Sequence, residues 1–417
     1  MSGPGLPCVH CGLCLDTCPT YRVLGTEADS PRGRIYIMEA IGRGELELDD
    51  DAALHLSRCL GCLACETACP SGVSFGRRLE EFRPRLAERR DVSGTWSSAT
   101  KRAYNSPGLV DAGLRVAGLM DRAGLGGVRR QIPGLGLLPA EPGEAGSPDA
   151  DVSPLRRSSL HQPLRPRARA AVLTGCVGDR LLPGINRDTV EVLQRNGIEV
   201  VDVRGQVCCG ALDLHAGREA EAEAFAVANA AAFGAADVDF VVTTAAGCGA
   251  VVRDYAHLLR GGDHEEAGRE VAGSSRDICE LLVEIGFEKP ARTLEVAGEV
   301  AYHDACHLLH ARGIADAPRR IVEAAFGRPP VDLGENAICC GSAGSYNLDH
   351  PRISAELGAR KAELARERSA AVVAVGNVGC MMQISRAVAL AGMKVDVRHP
   401  VQLLAAAYRL SDEAAPT

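Results

Sequence analysis

Two stretches of the chain, 8-CVHCGLCLDTCP-19 and 59-CLGCLACETACP-70, share one spacing: Cys-x2-Cys-x2-Cys-x3-Cys-Pro. Three thiols at every third residue let a single loop present three corners of a compact inorganic cluster, so the fourth must come from elsewhere. In the two-cluster arrangement with this spacing, the cysteine before the proline ligates the other cluster. One [4Fe–4S] cluster is therefore expected on Cys8, Cys11, Cys14 and Cys69, and a second on Cys59, Cys62, Cys65 and Cys18. That crossing ties together two loops with 40 residues between Cys18 and Cys59. Structural zinc does not call for the x3-Cys-Pro ending twice. Covalent haem needs a histidine after Cys-x-x-Cys, where Leu15 and Leu63 stand.

The chain has 417 residues, which implies two or three domains, and 17 cysteines. No basic-then-apolar leader precedes Cys8, so the expectation is a cytoplasmic protein whose thiols serve metal rather than disulfides. No apolar run approaches the roughly 20 residues of a transmembrane helix. That leaves peripheral association at the inner face of the cell membrane as the only expected membrane contact. A net charge of −8 argues against general nucleic-acid binding.

Residues 1–95 read as a mainly α-helical, ferredoxin-like module. Ser30-Pro31 followed by 32-RGRIYIMEAIGRG-44 has an N-cap, a first-turn proline and a glycine stop. Arg32 and Arg34 either tune a cluster as outer donors or simply start this helix, and His10 reads as a bystander. Residues 96–167 read as a Pro/Gly/Arg-rich linker, helical over 109–124. Its basic end, Arg156, Arg157, Arg165, Arg167 and Arg169, reads as solvated linker or as a docking patch.

From 168 onward short apolar runs alternate with helical stretches: 170–176, 198–203, 238–248, 371–380 and 395–400. That texture predicts an α/β domain of two repeated parallel βα units, 168–290 and 291–417. The repeat is visible in the thiols. Cys176, Cys208, Cys209 and Cys248 recur as Cys306, Cys339, Cys340 and Cys380, at offsets of 130, 131, 131 and 132. Each follows a predicted strand or lies in a loop, so the thiols should gather at the carboxyl ends of a sheet. Four sulfurs per repeat suit a further iron–sulfur centre, or zinc. His215, His303 and His310 lie beside these cysteines as proton relays or as structural residues, and Cys279 reads as a buried small hydrophobe.

The pattern Cys-x31-CysCysGly-x37-Cys, then Cys-x32-CysCysGly-x38-Cys, resembles the cysteine-rich CCG domain of heterodisulfide reductase and its relatives. Together with 8-CVHCGLCLDTCPTYRVLG-25, 31-PRGRIYIMEA-40 and 339-CCGSAGSYNLDHP-351, the whole chain resembles the iron–sulfur subunits of glycolate oxidase. One departure stands out. The heterodisulfide reductase form ends each repeat in Cys-x-x-Cys, whereas Val251 and Gln383 occupy those places here, which puts a disulfide-reducing site in doubt.

No dinucleotide fingerprint, phosphate loop or nucleophile elbow is present in the sequence, so no catalytic residue is expected in this chain. The resemblance implies an electron-transfer subunit of an oxidoreductase complex. FAD sits on partner subunits that turn glycolate into glyoxylate, and a quinone or other acceptor lies downstream. Related readings are an iron–sulfur subunit for lactate or glycerol-3-phosphate, a thiol–disulfide enzyme, and a zinc scaffold or redox sensor.

Overall fold

The structure, a computed structural model, describes residues 8–89, 107–132, 135, 163, 165–335 and 338–413. Most of the linker, with Arg156 and Arg157, lies outside them.

The N-terminal part is built from helices at Pro19–Leu24, Pro31–Gly42, Asp50–Ser57, Ala64–Thr67 and Phe75–Ala87. Ser30 caps the second of these by accepting from the Gly33 N–H at 3.0 Å, and Pro31 fills the first helical position. The apolar faces of these helices meet in one small core of Ile35, Met38, Leu56, Phe75, Leu79 and Phe82. Cys8, Cys59, Cys65 and Cys69 pack against it. The helix expected over 109–124 spans Pro107–Arg122.

Two four-stranded parallel sheets follow, as the alternating pattern predicts. The first holds β1 (Ala168–Val172), β2 (Ile198–Val201), β3 (Phe240–Thr243) and β4 (Ser275–Asp277) in the order β2-β1-β3-β4. The second holds β5 (Glu299–Tyr302), β6 (Val331–Asp332), β7 (Ala370–Ala374) and β8 (Asp396–Arg398) in the order β6-β5-β7-β8. Central strands such as Phe-Val-Val-Thr (β3) and Ala-Ala-Val-Val-Ala (β7) are apolar almost throughout, because helices cover both faces. A single hydrophobic cluster runs through both repeats, from Ala170 and Ile198 to Val373 and Tyr408, and Cys279 is buried in it. The helices Pro183–Arg195 and Pro400–Asp412 pack together across this shared core.

Of the basic linker end, Arg169 is paired with Glu199 and Asp237, and Arg167 donates to the Gly286 carbonyl at 3.2 Å. These side chains fasten the chain to the first sheet.

His399 is fully buried and caps the last helix: its Nδ1 accepts from the Val401 N–H at 3.2 Å. Burial holds its pKa down at about 4. As pH falls through the ordinary value of about 6.5, the unfolded chain takes up this proton and the folded chain does not. Stability contributed by the neutral ring is therefore present above about pH 6.5 and lost progressively down to about pH 4. His399→Asn, which keeps a capping acceptor but cannot titrate, should remove about 2–3 kcal/mol of that acid sensitivity. Urea unfolding at pH 7 and pH 5 checks this; an unchanged pH slope in the variant would rule the mechanism out.

Candidate metal centres

The two N-terminal cysteine loops bend in the same way. Backbone φ is positive at His10 (54°) and Gly12 (87°), and at the matching positions Gly61 (63°) and Leu63 (62°). A left-handed conformation costs a non-glycine residue about 1–2 kcal/mol, so it persists at His10 and Leu63 only because the surroundings hold each loop curled. The His10 side chain points into solvent. Its carbonyl accepts from Arg32 Nη1 at 2.8 Å, and Arg32 is in turn held by Glu27.

Cys18 is carried to the second loop. With Cys59, Cys62 and Cys65 it lines a small enclosed cavity of about 20 Å³, walled by Arg34 and Phe75. Desolvation, then the neighbouring thiols Cys62, Cys59 and Cys18, pushes the Cys65 pKa well above its ordinary value. Cys14 is raised by burial and by Cys8 and Cys18. Arg34 is fully buried at this site. It donates to Thr20 Oγ1 at 3.0 Å and to the His55 carbonyl at 2.8 Å, reaches Cys18 Sγ at 4.0 Å, and pairs with buried Asp29. Arg34 is thus an outer donor beside the thiols, while Arg32 supports loop backbone.

In the α/β part all eight repeat cysteines line one cavity of about 190 Å³. The parallel register sets this up. Each repeat's first and last cysteines follow its two central strands, and the Cys-Cys pair follows an edge strand, so all leave the sheet at its carboxyl end. The glycine after each Cys-Cys pair has a specific reason. Gly210 and Gly341 sit at φ 86° and 91°, and a Cβ there would lie 3.1 Å from the Ala222 carbonyl oxygen or 2.9 Å from that of Ser354. Only glycine allows the turn to press this closely on the following helix.

The thiols crowd one another. Cys176 and Cys208 Sγ are 3.4 Å apart. In the second repeat Cys339 is pushed well down by hydrogen bonds from Cys306 and Cys340, whose own pKa values rise well above the ordinary thiol value. Such a cluster cannot ionise together without cationic charge at its centre. That is the condition a bound metal or iron–sulfur cluster meets, so the donor set fits one. Val251 and Gln383, where a further cysteine would be needed for disulfide chemistry, are buried. Gln383 donates to the Ser354 carbonyl at 2.8 Å.

The histidines have separate settings. His310 Nδ1 meets Thr67 Oγ1 at 2.9 Å, tying a repeat to the N-terminal module. His215 contacts Arg83 at 3.2 Å, lies 5.3 Å from the His307 ring, and is held neutral chiefly by burial. His303 is likewise fully buried and held well below its ordinary pKa by desolvation.

What sequence reading left open is how the two sets of thiols meet. Leu60, Cys62 and Ala64 share one buried cluster with Ile338, Cys339, Tyr346, Ile353 and Leu357, and Cys306 packs against it. Tyr346 Oη donates to the Arg58 carbonyl at 2.9 Å, and Arg22 pairs with Glu335 at 2.9 Å, which locks the contact. Desolvation, then the charge of Cys339, pushes the Cys62 pKa well above its ordinary value. Both repeats meet the N-terminal module: Arg77 pairs with Asp254 and Arg83 contacts His215 of the first, while the second shares the buried cluster around Cys62.

Comparisons with known proteins agree with this division. Residues 6–73 match the 4Fe-4S dicluster domain family, and residues 170–253 and 300–385 match the cysteine-rich domain family. The chain is 34% identical over 411 residues to the probable glycolate oxidase iron-sulfur subunit of Bacillus subtilis (strain 168). It is 32% identical over 405 residues to the glycolate oxidase iron-sulfur subunit of Escherichia coli (strain K12). Both alignments span 95% of this chain and 92% of the relative. Lactate utilization protein A of Oceanobacillus iheyensis is 29% identical over 57% of this chain and 96% of its own length.

Gly341→Ala should destabilise the fold by about 1–3 kcal/mol, because a left-handed turn and a close carbonyl are both violated. Urea unfolding of the variant measures that cost, and a loss below about 0.5 kcal/mol would show that the turn can relax.

Proposed function

The chain belongs to the family of glycolate oxidase iron–sulfur subunits, and on that premise we propose that it relays electrons from a flavin on a partner chain to a quinone or other acceptor. The N-terminal part binds iron–sulfur clusters, on the strength of its dicluster family match. In this reading Cys8, Cys11, Cys14 and Cys69 hold one [4Fe–4S] cluster, and Cys59, Cys62, Cys65 and Cys18 hold the other. The cysteines of each repeat hold a further iron–sulfur centre. Residues 1–95 are the two-cluster module, 96–167 the connector, and 168–290 and 291–417 the two repeats.

The observation that carries this reading is the one buried cluster that Cys62 and Cys339 share. Electron transfer needs centres close together in a water-poor path, and Leu60, Ile338 and Leu357 supply that environment. Substrate chemistry belongs elsewhere. A 2-hydroxy acid oxidised to its 2-oxo acid gives up two electrons and two protons. A flavin accepts them together and passes the electrons on singly, which is the step iron–sulfur centres supply. In this reading a FAD-bearing partner oxidises glycolate to glyoxylate, the relatives being iron-sulfur subunits of glycolate oxidase. Among the described residues no helix is long and apolar enough to cross a membrane. In this reading a membrane quinone is met at the membrane surface.

The chain expressed alone should be brown, carry iron and acid-labile sulfide, and leave glycolate untouched. Co-purified with its FAD subunits it should be reduced by glycolate, with lactate as the comparison substrate. Glycolate oxidation by the isolated chain would refute the relay.

Cys339→Ser should leave flavin reduction by glycolate intact while slowing transfer to an added quinone at least tenfold. Stopped-flow spectra of the complex, following flavin and cluster bands separately, distinguish the two steps. Unchanged quinone reduction would exclude the second repeat from the path.

A further inference from the structure

The two repeats are not chemically equivalent. The backbone aligns them closely here: the His303 N–H donates to the Ala374 carbonyl at 3.0 Å, as the Leu173 N–H donates to that of Val242 at 2.9 Å. Residues 242 and 374 are 132 apart, the offset that also relates Cys248 to Cys380. Position 173 of the first repeat is therefore a leucine where the second repeat has His303.

His303 has no exposed surface, and among the described residues neither ring nitrogen has a hydrogen-bond partner. A buried imidazole with both nitrogens unsatisfied is costly unless something outside the protein completes it. Its donor atom lies within 4.8 Å of the sulfurs of Cys340 and Cys380, which are themselves within that distance of each other. Donors this close converge on one point, as ligands of a common metal site do. The surroundings differ as well. Asn377 Nδ2 donates to Cys380 Sγ at 3.3 Å, where the first repeat has Ala245 at the same offset of 132. Lys361, buried and held by the Glu335 carbonyl at 2.7 Å, adds a cation facing Cys339 and Cys340.

We propose that the second repeat builds a mixed nitrogen–thiolate iron–sulfur centre, with His303 as the nitrogen ligand beside Cys340 and Cys380. The first repeat has Leu173 at the matching position and so no imidazole there. The inference rests on the reading above that the repeats carry iron–sulfur centres. Replacing a thiolate by a neutral imidazole raises a cluster's potential, so the second repeat becomes the better electron acceptor of the pair. The buried cluster shared by Cys62 and Cys339 sets that acceptor against the N-terminal module.

The test uses the full chain, reconstituted anaerobically with ferrous iron and sulfide, and labelled with 15N-histidine. Pulsed electron paramagnetic resonance of the reduced protein should show one strongly coupled nitrogen that responds to the label. The coupling should vanish in His303→Leu, which installs the first repeat's own side chain, and survive in His307→Gln. The potential of that centre should also fall in His303→Leu. If His303→Leu does not fold, the labelled wild type and His307→Gln still decide. A centre abolished by Cys380→Ser but showing no nitrogen coupling, or coupling lost in His307→Gln, overturns the assignment to His303 and leaves the relay standing. If no centre responds to Cys380→Ser, both readings fall.

Discussion

Repulsion among crowded thiols is the constraint on which the rest of this structure depends. Eight cysteines line one cavity and Cys18, Cys59, Cys62 and Cys65 another, at a sulfur separation as short as 3.4 Å. Burial and neighbouring thiols disfavour ionisation of Cys65, Cys306 and Cys340, and an inorganic cation core is what reverses that preference. Everything around them prepares that exchange: curled loops with left-handed residues, Arg34 against Cys18, and Lys361 against Cys339 and Cys340.

The fold supplies the convergence. A parallel sheet sends all its strands out at one end, so residues far apart in sequence arrive at one edge. Duplicating the sheet and joining both copies through one hydrophobic core turns two such edges toward a common cavity. The helical module packs on the second copy through Tyr346, Arg22 and the buried cluster shared by Cys62 and Cys339, and on the first through Arg77 and Arg83.

Much of this was legible from residues. The Ser30-Pro31 helix start, the helix over 109–124 and the inner strands β1, β3 and β7 follow from capping and apolar runs, which act locally. β4 and β6 were not legible, since Ser-Arg-Asp and Val-Asp are short edge segments whose pairing comes from the neighbouring strand. β5 begins with a charged residue and was hidden for a similar reason, although it lies inside its sheet. Arg34 could not be told from Arg32 by sequence. One turns into the thiols and the other onto loop backbone, and helix rotation decides which.

The sequence alone determined the chemistry of the donors and their number per loop, because cysteine spacing is covalent arithmetic. It also determined the duplication, since equal offsets survive any folding. Only the tertiary structure decided that eight repeat thiols share one cavity, and that Cys62 meets the second repeat. It alone set a histidine against Cys340 and Cys380 where the other copy has leucine. Those facts depend on how helices and sheets pack across hundreds of residues, and packing is a property of surfaces that no local spacing encodes.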